Sequence, residues 1–87
     1  MDEIKLTFSN FIISLAQTAY VQLGIIEDPF SKEKRKELEQ AKGTIDLIDM
    51  LKEKTKGNLT EEEEKLINEV LYDLRTKYLY ETDKDKK

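Results

Sequence analysis

The sequence predicts an all-α domain folded as a three-helix bundle, and three observations carry that prediction. Apolar residues recur at helical spacing in three separate segments. Gly24, the single proline Pro29 and the pair Gly57-Asn58 punctuate the chain between those segments. With 87 residues the chain has the length of one domain, and short connections between amphipathic helices close into a bundle. The helices fall at roughly 8–23, 32–56 and 61–80, inside one domain over 1–87 whose ends, 1–6 and 81–87, read as frayed.

The first helix opens after Thr7, which suits an N-cap, and Leu6 just ahead of it can pack on Phe11 as a hydrophobic staple. Gly24 suits the left-handed position that ends a helix. Phe8, Phe11, Ile12, Leu15, Ala16, Ala19 and Leu23 share one face, and Ile13 and Tyr20 widen it to an arc of roughly 200°, beyond the usual apolar stripe. The opposite side carries Asn10, Ser14, Gln17, Thr18 and Val21. Although 39% of the chain is charged, no Asp, Glu, Lys or Arg occurs from Leu6 to Ile26. That stretch is long enough to cross a bilayer, but its Asn and two Gln would need partners in lipid. The preceding Asp2, Glu3 and Lys5 do not make the basic leader of a signal peptide. A membrane span is therefore disfavoured, and a cytoplasmic location is expected.

Asp28-Pro29 breaks the chain, since proline biases its predecessor away from helix. The second helix is expected from Ser31 or a little later, with Leu38, Ala41, Ile45 and Ile48 as its stripe and Leu47 and Leu51 broadening it. Gly43 in its interior costs about 1 kcal/mol against alanine, which fits either a close helix approach or simple tolerance. In "GNLTEEEE", Thr60 and Glu63 make a capping box, and Glu61, Glu62, Glu63 and Glu64 favour the positive end of the third helix. Leu66, Ile67, Val70, Leu71, Leu74 and Tyr78 form its apolar face.

Composition narrows the chemistry. A net charge of −4 argues against nucleic acid as a partner, because phosphate neutralisation needs a basic face. Without His or Cys there is neither the usual acid–base group at neutral pH nor a thiol nucleophile, nor a structural zinc or disulfide. No Ser–Lys or paired-carboxylate motif replaces them, so no catalytic residue and no cofactor is predicted. The "KTKGNLT" turn leads into a helix N-terminus, but the four Glu that follow already occupy it, and the turn reads as a tight connection. Glu39, Asp46, Asp49 and Glu53 share a face of the second helix. Such a face is ordinarily solvated, with Lys42 one turn from Asp46; it could also dock a basic partner or, less readily, hold a divalent cation. Tyr72 and Leu79 stand seven apart, off the main stripe of the third helix. Together with Ile13, Tyr20 and Val21 they predict a second buried interface, for which a homodimer is the simplest cover.

The run "AKGTIDLIDMLKEKTKGNLTEEEEKLINEVLYDLRTKY" resembles a family of short bacterial proteins known as domain of unknown function 1844, with its pattern of "ID-L--ML--KT-GNLT--E" followed by "L-DLR--Y". The residues that carry it are Ile45, Asp46, Leu47, Met50, Leu51, Lys54, Thr55, Gly57, Asn58, Leu59 and Thr60, then Leu71, Asp73, Leu74, Arg75 and Tyr78. "SLAQTAYVQLG" is similar to the family's segment ahead of an Asp-Pro linker. After Pro29 the chain departs from the pattern, reading "FSKEKRKELEQ" where a Gly-containing turn is expected. The resemblance implies a helical bacterial cytosolic protein and brings no ligand or activity with it. The expected function is thus contact without catalysis, as a homodimer, an adaptor or a regulatory subunit. A membrane-peripheral helix and a carboxylate-based divalent-metal site are the alternatives.

Overall fold

A computed structural model of the chain describes residues 6–85. Three helices form it: α1 (Phe8–Gln22), α2 (Leu38–Lys54) and α3 (Glu61–Asp85). Each pair is in contact, and α2 runs back against α1 and α3, as the Gln22–Thr44 and Asp49–Arg75 contacts fix. The core is one cluster of small and branched side chains: Ile12, Ala16, Ala19 and Leu23 from the first segment, Ala41, Ile45 and Ile48 from α2, Ile67, Leu71 and Leu74 from α3. The predicted stripes supply all of these residues.

The local signals explain the starts of α1 and α3. The Thr7 hydroxyl accepts from the Asn10 amide at 3.0 Å. Thr60 and Glu63 close both arms of the capping box, the Glu63 amide donating to the Thr60 hydroxyl (3.1 Å) and the Thr60 amide to the Glu63 carboxylate (2.9 Å). Gly24 adopts φ +77° after α1, and a side chain there would also crowd Lys36 and the Arg35 carbonyl of the returning chain. The staple does not form: Leu6 is almost fully exposed, and Phe11 stands half in solvent.

Two boundaries move by more than a helical turn. Residues 32–37, expected in the second helix, are not helical, and α2 starts only at Leu38. The Asp28 carboxylate accepts the Phe30 and Ser31 amides at 2.7 and 3.2 Å, so the chain turns at Asp28-Pro29. Lys32 then takes φ +62°, the left-handed conformation usually left to glycine, at the place where a Gly-containing turn was expected. The Glu37 amide donates to the Gln22 carbonyl at 2.7 Å, which closes residues 23–37 into a loop returning to the end of α1. At the other end α3 does not fade near residue 80 but continues to Asp85. Glu81, expected at the start of a frayed end, is buried and pairs with Lys36 at 2.9 Å, which ties the loop to α3. Lys86 and Lys87 lie outside the described residues.

The result is a slab of 42 × 33 × 16 Å. Its Cα radius of gyration of 14.0 Å exceeds the roughly 12 Å expected of a compact 87-residue domain.

Candidate functional site

The uncharged outer side of α1 faces the returning loop. The 23–37 loop stands over it, and the two enclose a groove of about 760 Å³. Ser14, Gln17, Thr18, Val21 and Gln22 line it from α1, and Ile26, Glu27, Asp28, Pro29, Phe30, Glu33 and Glu37 from the loop. Phe30, at the turn beside this groove, is 94% exposed. Arg35 is the one cation among the described lining residues, and it lies 4.0 Å from Glu33.

A second polar feature bridges α1 and α3. The half-buried Tyr20 hydroxyl donates to Asp73, whose other carboxylate oxygen accepts from Lys77 Nζ at 2.5 Å. The same ammonium stands 6.0 Å from the centre of the Tyr20 ring. Burial above all, then the bond to Asp73, pushes the Tyr20 phenol up to about 12. The bonds from Lys77 and then Tyr20 hold the Asp73 carboxyl below the usual carboxylate range. Both shifts favour the bonded forms, so the pair ties α1 to α3.

The five candidate interface residues do not form one surface. Tyr20 is occupied inside the chain, because the wide apolar arc of α1 is partly covered by α3 itself. Ile13, seven residues before Tyr20, shares its flank and is half exposed. Val21 lines the groove under the loop. On α3, Asp73 and Lys77 face α1, whereas Arg75 faces Asp49 of α2 at 3.0 Å. Tyr72 and Leu79, three residues before and four after Arg75, lie on that α2 flank and are 75% and 62% exposed.

The acidic face of α2 exists, but half of it is answered from within. Lys42 reaches Asp46 at 3.0 Å, a pairing that raises the Lys42 ammonium above its ordinary value. Asp49 pairs with Arg75, while Glu39 and Glu53 have no partner among the described residues. No group of three or more acidic side chains among the described residues is arranged to hold a metal ion. Among the described residues, no helix is long and apolar enough to cross a membrane.

The groove escaped sequence reasoning because it depends on where the loop returns. Two signals pointed towards it: an outer helix face of amides and hydroxyls with no charge, and an Asp-Pro turn followed by an aromatic residue. Among known proteins, the chain matches a family model described as a domain of unknown function (DUF1844), over residues 5–81. No curated protein and no solved structure matches it.

Proposed function

We propose, for a chain that belongs to the DUF1844 family, that it works by contact rather than by chemistry, self-association coming first and adaptor binding second. The observation that carries this reading is the amount of large apolar surface its three helices leave uncovered. Tyr72 and Leu79 on α3, Leu47 and Met50 on α2, and Phe30 on the loop all stand in solvent. Without a disulfide or a zinc site to staple so small a domain, a second copy is the simplest source of further burial. The lack of cysteine and the bacterial family it resembles favour the bacterial cytoplasm as its place of work.

Light scattering on a size-exclusion column, over a tenfold range of concentration, tests the reading. Self-association gives a mass approaching twice 10.2 kDa at the upper end. A mass fixed at one chain throughout would end the homodimer reading. The groove under the 23–37 loop favours the adaptor as second reading, since Phe30 stands exposed beside it. In that case Phe30→Ser would abolish capture of a partner without changing the mass. Co-sedimentation with phospholipid vesicles would point instead to the membrane-peripheral alternative, and heat on titration with Mg²⁺, Ca²⁺ or Mn²⁺ to the metal-binding one.

A further inference from the structure

Gly43 has no reason to be glycine inside its own chain. It sits in the interior of α2, where glycine costs about 1 kcal/mol against alanine. A Cβ built there would meet no heavy atom of the described residues within 4 Å, its own stretch of helix aside. The helix is therefore weakened at a point where no other element among the described residues comes within reach of a side chain.

Its neighbours on the outward face of α2 form an ordered series. At helical spacing Glu39, Gly43, Leu47, Met50 and Lys54 run along one side of the helix, and all are exposed, Leu47 by 38% and Met50 by 44%. Neither Glu39 nor Lys54 has an ion-pair partner among the described residues. The series is its own complement when reversed. A half-turn about a point between Asp46 and Leu47 exchanges Glu39 with Lys54 and Gly43 with Met50.

We propose that this face of α2 is the seam of a two-fold homodimer, in which α2 packs antiparallel on α2 of a second copy. Resting on the self-association reading above, the inference fixes its face and register. Each Met50 fills the gap over the other copy's Gly43, where any side chain would hold the helices apart. The two Leu47 meet beside the axis. Each Glu39 carboxylate meets a Lys54 ammonium at either end of the seam, so the opposite charges specify the antiparallel orientation. Asp46 also comes near the axis, but Lys42 of its own chain neutralises it at 3.0 Å. A second copy is the occupant these charges select, since the face matches itself end for end.

Charge reversal tests the register. Glu39→Lys sets like charges against Lys54 at both ends of the seam, Lys54→Glu does the same against Glu39, and the double variant restores opposite signs. By light scattering and sedimentation, each single variant should lose at least tenfold in dimer affinity, and the double should recover most of it. Gly43→Leu should give a monomer with unchanged helical circular dichroism, because the added side chain enters open space in its own chain. Single variants that associate like the wild type, or a double that fails to recover, would overturn the proposal. If the wild type dimerises and only Tyr72→Lys or Leu79→Lys breaks it, self-association stands and this seam is wrong. A wild type that is monomeric throughout removes both.

Discussion

The Tyr20 hydroxyl, donating to Asp73 across the α1–α3 seam, makes alkaline stability sensitive to one side chain. Burial and the bond to Asp73 push its pKa up to about 12 from the ordinary 10.0, so folding favours the protonated phenol. The contribution is complete below about pH 10 and is lost as the pH rises towards 12. Asp73 works in the opposite sense: its lowered pKa adds stability above the ordinary carboxylate range that disappears as the pH falls through it. Tyr20→Phe should cost about 1–2 kcal/mol at pH 7 and flatten the decline between pH 10 and 12, as read by urea unfolding at several pH values. A variant declining like the wild type would assign that loss to other groups. Lys32→Gly should act in the other direction, because it relieves a left-handed conformation that costs a side-chain residue roughly 1–2 kcal/mol; thermal unfolding at pH 7 reads the gain. Caps such as Thr7 and Thr60 were legible in the sequence because donor and acceptor lie within three residues. Tyr20 was not, because a wide apolar arc looks alike whether a second helix of the same chain covers it or a second molecule does.

Among the element boundaries, the start of α3 was among the most legible and the start of α2 the least. The capping box, four glutamates in the first turn and a continuous apolar stripe all agree on where α3 begins. Thr60→Ala should cost about 1 kcal/mol, measured by chemical unfolding, and Glu63→Ala should remove the reciprocal bond at a smaller cost. For α2 the run of Lys, Glu and Arg over residues 32–37 has helical propensity, yet long-range contacts override it. The Asp28 turn, the Glu37–Gln22 backbone bond and the Lys36–Glu81 pair hold that run as a returning loop. None of these partners is visible from propensity, since Glu81 lies 45 residues beyond Lys36. Asp28→Ala should loosen the loop while the helices stay folded. Limited trypsin digestion would then cut at Lys32, Lys34 and Arg35 several times faster with little change in melting temperature; an unchanged rate would mean that Asp28 does not hold the turn.

For the whole molecule, shape and surface point the same way. A slab 16 Å thick leaves much of each helix outward, and on α2 the outward side is a self-complementary series around an unsupported glycine. The helix stripes that fold the chain were readable from periodicity, because helices bury one face whatever they pack on. The groove and the division of exposed apolar residues between two flanks were not, because both depend on helix order in space. If the copies pair through α2, melting temperature rises with protein concentration, since association stabilises only the folded chain. A melting temperature independent of concentration over a hundredfold range would argue against pairing. The chain has no cysteine, so a single introduced thiol gives the most direct test of the seam. Under mild oxidation or with a short bismaleimide, Leu47→Cys, beside the two-fold axis, should link to itself as a covalent dimer, whereas Tyr72→Cys on the α3 flank should not. Self-linking at Tyr72→Cys with none at Leu47→Cys would contradict the account.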